Sequence, residues 1–214
     1  MANTSGISDT ARVGRRVARA PAVPLPVCRV RVDGSELNDQ ARATALIEHE
    51  WLLTNGIGGY SSGTVAGVIT RRYHGLLVAA LPNPLGRMVM LNRVDDALDV
   101  RALRDFHLDA GIPMWEYVID GRTLRKRIAM PYRQNTIVIQ YSLDHNAQSS
   151  LTLRLTPGIH FRNYEAPVSE PLHEDYEFAT DAAHFRVTAP GHWATRSERS
   201  SRATTGSPIG DATR

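Results

Sequence analysis

Four consecutive residues, Arg71, Arg72, Tyr73 and His74, are the densest group of side chains in the sequence that could bind a polar ligand. Arginine, tyrosine and histidine hydrogen-bond sugar hydroxyls, and an aromatic ring can pack on the apolar face of a sugar. The same residues could instead hold a hairpin together, with an arginine paired to a nearby carboxylate. The residue types alone favour this structural role, because polar side chains are ordinary at exposed turns.

Tryptophan is the other side chain that can hold a sugar ring, and the sequence has three of them. Trp51 stands beside Glu50 and close to Asn55, which makes it the best candidate for an exposed aromatic platform. Trp115 lies inside an alternating apolar and polar run, so we expect it in the core. The candidate substrate-binding residues are Trp51, Asn55, Arg72, Tyr73 and His74.

The segment TNGIGGYSSG, residues 54–63, has some of the glycines of a phosphate-binding loop. Gly56 and Gly58 match the first two glycines of the dinucleotide-binding fingerprint, but Ser61 occupies the position of the third. That fingerprint needs a helix directly after the loop, whereas SSGTVAGVIT is rich in β-branched residues and glycine. We therefore expect a turn with positive φ angles that passes close to a neighbouring segment.

Carboxylate pairs are the other chemistry to consider, since hydrolysis of a glycosidic bond requires two carboxyl groups about 5 to 9.5 Å apart. None of the acidic groups has a distinctive neighbourhood, so we predict no catalytic residue. The histidines include no H-E-x-x-H motif and no Cys/His ligand spacing, so we predict neither a metal site nor a cofactor. The acidic groups are Glu48 with Glu50, Asp95 with Asp96, and Glu174, Asp175 and Glu177.

Length and composition indicate one ordinary domain. The 214 residues are 42% apolar and 22% charged, enough for one domain with a core. No apolar run reaches the roughly eighteen residues of a membrane-spanning helix, and a net charge of +3 is too small to indicate nucleic acid. We therefore expect neither a membrane nor a nucleic acid as partner. The single cysteine, Cys28, allows no internal disulfide, which fits a reducing compartment and predicts a cytoplasmic protein.

Alternation of apolar and polar positions predicts a mainly β structure. Short strands about ten residues apart, separated by turn residues, are typical of an antiparallel sandwich. One helix is predicted over residues 36–50, with Ser35 as its cap. The predicted strands are 64–70, 75–81, 87–92, 114–120, 123–130, 136–143, 150–157 and 184–189, with hairpins joining 64–70 to 75–81, 114–120 to 123–130 through Gly121, and 136–143 to 150–157.

The two ends of the chain differ from its middle. Residues 1–24 carry four arginines against one acid and lack the apolar region of a secretory signal. After Trp193 the only large apolar residue is Ile209, so this end cannot bury enough surface to offset its ordering entropy. We predict a disordered arm over residues 1–24, a folded domain over 25–190 and a disordered tail over 191–214.

The segment from Glu50 to Asp96, EWLLTNGIGGYSSGTVAGVITRRYHGLLVAALPNPLGRMVMLNRVDD, resembles the N-terminal domain of bacterial and archaeal-type glycogen debranching enzymes (amylo-α-1,6-glucosidases). Two later segments, MWEYVIDGRTLRKRIAMPYRQNTIVIQYSL and LTLRLTPGIHFRNY, are similar to later parts of the same domain. The resemblance covers about residues 46–165. It implies an antiparallel β-sandwich of the supersandwich type, followed in the family by an (α/α) barrel that carries the catalytic acid and base.

The resemblance implies a non-catalytic role. The barrel needs several hundred more residues than follow the domain here, so we expect the family's catalytic carboxylates to have no counterparts in this chain. Whether the chain alone is an enzyme stays open. We expect it to support a catalytic barrel, in the same chain or supplied separately, and to contact glycogen or another α-glucan. The alternatives are a stand-alone glucan-binding module and a truncated gene product without function.

Overall fold

The computed structural model describes residues 29–31, 39–144, 151–171, 176–181, 184–189 and 193–198. These residues form a mainly β structure with one α-helix, as the sequence predicted, and also a short 3₁₀ turn. The elements are β1 (Arg29–Arg31), α1 (Asp39–Glu48), β2 (Glu50–Thr54), β3 (Tyr60–Thr64), β4 (Gly75–Ala80), β5 (Arg87–Asp95), the 3₁₀ turn (Val100–Ala102), β6 (Leu103–Asp109), β7 (Ile112–Ile119), β8 (Arg122–Ala129), β9 (Val138–Leu143), β10 (Thr156–Asn163), β11 (Glu177–Thr180), β12 (His184–Ala189) and β13 (Trp193–Glu198).

The strands form three sheets in which every pairing is antiparallel. Sheet A has the strand order β1-β6-β7-β8-β9, and sheet B has the order β10-β5-β4-β3-β2. Sheet C is the smaller β11-β12-β13 meander. Sheets A and B contribute buried side chains to one shared core, so the arrangement is that of a sandwich, and the predicted fold class is confirmed.

Two tight turns set the register of the central strands of sheet A. Ala110 and Gly111 join β6 to β7 with φ angles of 48° and 83°, and Asp120 and Gly121 join β7 to β8 with φ angles of 49° and 74°. Positive φ at both central residues defines the type I′ turn, whose twist matches that of paired strands. The predicted hairpin with Gly121 at its turn is therefore confirmed.

Along the strands of sheet A, buried and more exposed residues alternate with the period of two that strands require. On β7 the buried positions alternate, and Trp115 and Tyr117 both face the core. On β8 the buried residues are Leu124 and Ile128, and the residue between them on the same face is Lys126. A lysine at an inward position is unusual because burying an ammonium group requires a compensating partner.

Two indole groups tie the core to the end of β3. The Trp115 Nε1–H of sheet A donates to the Val65 carbonyl at 2.9 Å, and the Trp51 Nε1–H of sheet B donates to the Thr64 carbonyl at 3.2 Å. The two rings meet edge to face with centroids 5.5 Å apart, a favoured geometry for aromatic pairs. The expectation that Trp115 lies in the core is confirmed.

The helix lies within its predicted range and closes one end of the core. Arg42 and Leu46, one turn apart, form its buried face. The Arg42 guanidinium donates to the Leu103 carbonyl, which fastens α1 to β6. The predicted cap, Ser35, lies outside the described residues, as does Cys28.

The strand predicted over residues 64–70 is wrong, because the partner of β4 is β3, which ends at Thr64. The chain then turns at Gly67, where φ is 75°. The Thr64 hydroxyl stabilises this turn by donating to the Val68 carbonyl at 3.0 Å, while its oxygen accepts the Val68 N–H at 2.9 Å. The β-branched residues indicated a strand, but the segment forms a turn because the Thr64 side chain hydrogen-bonds to nearby backbone.

The strand predicted over 150–157 is also wrong, since β10 begins at Thr156. The predicted hairpin between 136–143 and 150–157 does not form, because β9 pairs with β8 in sheet A and β10 pairs with β5 in sheet B. Residues 151–155 alternate in burial without pairing to a strand, as Leu151 and Leu153 are half-buried between more exposed residues. The alternation here therefore reflects burial in an unpaired segment that leads into β10, of which Leu151 packs against the core.

Sheet C continues past residue 190. Strand β13 pairs along its whole length with β12 and ends at Glu198. The predicted strand 184–189 is confirmed as β12. The predicted arm over residues 1–24 and the end of the chain after residue 198 lie outside the described residues.

Candidate functional site

Residues 71–74 form the tight turn that leads directly into β4. The His74 N–H donates to the Arg71 carbonyl at 3.1 Å and closes the turn. The Tyr73 carbonyl accepts a hydrogen bond from the Tyr60 hydroxyl at 2.8 Å, which fastens the turn to β3. The backbone of the turn is therefore held by its neighbours.

Glu50, the first residue of edge strand β2, is the centre of the side-chain contacts. Its Oε1 accepts a hydrogen bond from Arg71 Nε at 3.1 Å, and its Oε2 accepts one from the Tyr73 hydroxyl at 3.2 Å. His74 Nε2 lies 3.4 Å from the same Oε2. We call Glu50, Arg71, Tyr73 and His74 the Glu50 cluster. The structural interpretation, an arginine paired with a nearby carboxylate, is confirmed for Arg71.

The His74 ring is fully buried, and its neighbours set its tautomer. Its Nδ1 accepts the backbone N–H groups of Thr70 at 3.2 Å and Arg71 at 3.4 Å. Because both partners are donors, Nδ1 carries no proton in the neutral ring, and the proton is on Nε2, which faces Glu50. The imidazole thus lies between the turn and edge strand β2, and its Nε2–H faces Glu50 without a hydrogen bond of normal geometry to any residue that the structure describes.

The charges of the cluster are set by burial and by these contacts. Burial lowers the pKa of the His74 imidazole, against the opposing influence of Glu50. Partial burial alone would raise the pKa of the Glu50 carboxyl, but its contacts with Arg71, His74 and Tyr73 outweigh that and hold the pKa below its ordinary value. The His74 imidazole is therefore neutral and the Glu50 carboxylate is ionised. In these states the two side chains help to hold the turn in place.

Exposure separates the five candidate binding residues. Trp51 is 6% exposed and its ring packs in the core, so it does not form the exposed platform that its neighbourhood suggested. Asn55 and His74 are fully buried. Tyr73 is 42% exposed, and Arg72 beside it is exposed as well. Only Arg72 and Tyr73 of the five therefore present side chains to a ligand outside the protein.

Asn55 instead joins two loops. Its Oδ1 accepts the N–H groups of Ile57 at 3.1 Å and Gly59 at 2.9 Å. Its Nδ2 donates to the Gln134 carbonyl at 3.0 Å and to Asn135 Oδ1 at 3.1 Å. These four bonds use two donors and two acceptor positions, the usual capacity of an asparagine amide. The side chain is therefore committed to the fold.

The glycine-rich segment has the expected geometry. Gly56 and Gly58 have φ angles of 77° and 99°, and β3 rather than a helix follows them. At Gly59 a Cβ atom would stand 2.5 Å from Asn55 Nδ2 and 2.7 Å from Asn135 Oδ1. The prediction of a turn with positive φ angles close to a neighbouring segment is confirmed, and the helix N-terminus that would bind a pyrophosphate is replaced by a strand.

A second polar group was not recognised from the sequence. Lys126 Nζ lies 2.6 Å from Asp96 Oδ2, and the Tyr141 hydroxyl donates to the same oxygen at 2.9 Å. Burial raises the pKa of the Tyr141 hydroxyl, so it stays protonated. A lysine at an inward position of an alternating strand was the one sequence signal for this group, but its partner, thirty residues away, gave none.

The described residues hold no convergent group of three His, Cys, Asp or Glu side chains suited to a metal ion. In the same part of the chain, the single helix α1 has ten residues, and no helix there could cross a membrane. Of the acidic residues considered for catalysis, Glu50 and Asp96 are each engaged by a cation. Glu174 and Asp175 lie outside the described residues.

Replacing Gly59 tests the Asn55 contacts. Gly59→Ala should lower the free energy of unfolding by about 1–3 kcal/mol, because the added methyl group collides with two side chains that are fixed by hydrogen bonds. The matched control is Gly63→Ala, whose Cβ would meet Trp51 at an ordinary 3.6 Å. This control should be unchanged or slightly more stable. Urea unfolding measures both, and equal stabilities would contradict the tight packing at Gly59.

The buried His74 predicts acid sensitivity. Its folded pKa lies below the ordinary 6.5, so as the pH falls through 6.5 the unfolded state binds a proton that the folded state does not, and stability is lost. Glu50 stays ionised there, because its pKa is below 4.5. Melting temperatures between roughly pH 7.5 and pH 5 should fall less steeply in His74→Gln than in the wild type.

His160 is the control for this measurement, because burial also lowers its pKa. His160→Gln should keep the part of the pH dependence that His74 contributes. An identical slope in His74→Gln and the wild type would show that His74 is not responsible.

A family model described as glycogen debranching enzyme N terminal matches residues 49–102 and 99–202, two parts that meet at the 3₁₀ turn between β5 and β6. The match includes the Glu50 cluster and Asn55, and it continues well past residue 165, where the resemblance was expected to end. No curated protein and no solved structure matches the chain. Because the family match covers most of its length, the chain belongs to the family of glycogen debranching enzyme N-terminal domains.

Proposed function

We propose that the chain is the non-catalytic N-terminal part of a glycogen debranching enzyme and supports an (α/α) catalytic barrel, in the same chain or supplied separately. The family match carries this proposal. The parent activity, by the resemblance, is hydrolysis of α-1,6 branch linkages in glycogen, which takes place in the barrel. The proposal places the protein in the cytoplasm, where a chain with one cysteine needs no disulfide.

The outer face of β2 is the surface proposed to receive the barrel. Glu50 and Leu52 lie on the same face of this edge strand, and Leu52 is 59% exposed. Tyr73 adds an exposed ring beside Glu50. An exposed leucine and tyrosine around a fixed carboxylate give this face the mixed apolar and polar character of an interface between domains.

Arg72 and Tyr73 are the proposed glucan contacts at the edge of this face. The hydroxyl of Tyr73 is bonded to Glu50, so the ring is already oriented and loses little rotamer freedom when a sugar packs on it. Arg72 supplies hydrogen-bond donors for sugar hydroxyls. In this proposal Trp51, Asn55 and His74 act indirectly, by positioning the strand and turn that carry the two contacts.

The support of a barrel is tested with a debranching-enzyme catalytic barrel that is expressed without its own N-terminal domain. The wild-type chain should form a complex with it in size-exclusion chromatography, and Leu52→Glu should weaken that complex at least about tenfold, because it buries an unpaired charge. Val138→Glu, on the exposed edge strand β9 of sheet A, is the matched control and should bind normally. A folded wild type that forms no complex contradicts barrel support.

Glycogen co-sedimentation tests the glucan contacts independently. Tyr73→Ala should weaken binding about three- to tenfold, the range expected when one aromatic ring is lost. Tyr132→Ala removes another tyrosine, one that is 76% exposed, and should leave binding unchanged. Binding without any barrel would favour the alternative of a stand-alone glucan-binding module. If the chain folds cooperatively but does not bind glycogen, the proposed glucan contacts are wrong. The proposed support of a barrel is not affected by that result.

A further inference from the structure

A cavity of about 240 Å³ lies between sheets A and B. Its lining is mixed: aromatic and aliphatic side chains, among them Trp115 and Tyr117 of β7 and Trp51 of β2, alternate with polar residues. The exposed residues Gly67 and Val68 also line it, so it reaches the surface beside the loop that follows β3. The cavity is separate from Arg72 and Tyr73, which do not line it.

The polar residues that line this space include Lys126, Asp96 and Asn92. Lys126 and Asp96, the inward lysine and its carboxylate partner, both line the cavity. The Lys126 ammonium also lies 5.4 Å from the centre of the Trp115 ring. Asn92 of β5 is the third, and its Oδ1 is buried and accepts no hydrogen bond from any residue in the described part of the chain.

An orphaned buried carbonyl is costly, because it has lost its hydrogen bond to water and gained none. A ligand hydroxyl that donates to Asn92 Oδ1 would remove this cost. Lys126 gives one donor to Asp96 and retains others, since an ammonium group has three. The cavity therefore offers an acceptor and a donor beside aromatic rings that can pack on C–H groups.

Size and charge narrow the class of ligand. A cavity of about 150 Å³ is known to hold benzene, so this larger space has room for a six-membered ring with substituents. The charged lining residues are Lys126 and Arg93 against Asp95 and Asp96, so the formal charges balance and the site favours neither an anion nor a cation. A neutral ring with several hydroxyl groups satisfies both the aromatic walls and the polar atoms.

We propose that the cavity between the two sheets binds a small neutral polyhydroxylated ligand of monosaccharide size, with Asn92 accepting and Lys126 donating hydrogen bonds. Arg72 and Tyr73 do not line the cavity, so the site is distinct from the proposed glucan contacts. The inference does not depend on the proposed support of a barrel. Because Asn92 belongs to sheet B and Lys126 to sheet A, the ligand would join the two sheets and stabilise the sandwich.

The test is a titration of the whole chain with D-glucose and, separately, myo-inositol, followed by melting temperature and tryptophan fluorescence. We expect a saturable rise in melting temperature with a Kd on the order of 1 mM. Sugars also stabilise proteins by exclusion from their surface, but that effect grows without saturation and does not depend on Asn92. The fluorescence should change over the same concentration range, because Trp51 and Trp115 line the cavity.

Asn92→Leu should weaken the saturable phase at least tenfold while the protein still melts cooperatively, since an unpaired buried oxygen is replaced by an apolar group of similar size. Gln140→Leu is the matched control, an amide on the exposed face of β9 that does not line the cavity, and it should bind like the wild type. If Asn92→Leu does not fold, Ala66→Leu, which narrows the cavity from another wall, replaces it.

Two results overturn the proposal. One is a folded wild type that shows no saturable phase with either compound. The other is a saturable phase of equal affinity in the wild type and in the cavity variant, which would place the ligand elsewhere.

Discussion

The hydrogen bond from the Trp115 indole to the Val65 carbonyl is the contact on which the rest of the structure depends. It links sheet A to the point at which the chain leaves β3 in sheet B. Fixing that point fixes the loop that follows, and this loop supplies the backbone N–H groups of Thr70 and Arg71 to the buried His74 ring. The orientation of His74 toward Glu50 is thus a consequence of packing in the core.

Local patterns allowed much of the fold to be predicted from the sequence. The hairpin of β7 and β8 was predictable because alternation and an Asp-Gly pair at a type I′ turn act within a few residues. The errors occurred where a local feature had a different cause. The β-branched segment after Thr64 turns because a hydroxyl bonds to nearby backbone, and the alternation after residue 150 reflects burial without strand pairing.

The sequence showed which residue types could bind a sugar, but it did not show which of those side chains are exposed. Glu50 meets Tyr73 across more than twenty residues, and Lys126 meets Asp96 across thirty, and no periodicity reports such pairs. Trp51 and Asn55 have side chains that suit either a sugar or a core. Their partners decided between these uses, since the indole donates to Thr64 and the amide joins two loops.

The inward position of Lys126 has a consequence for the chemistry of the molecular surface. It is the chain's single lysine, and only 13% of its side chain is exposed, so the outer cations of this protein are guanidinium groups. Guanidinium groups keep their charge at any pH at which the protein is folded. Reagents that acylate primary amines should therefore modify this lysine slowly in the native fold and much faster once the two sheets separate.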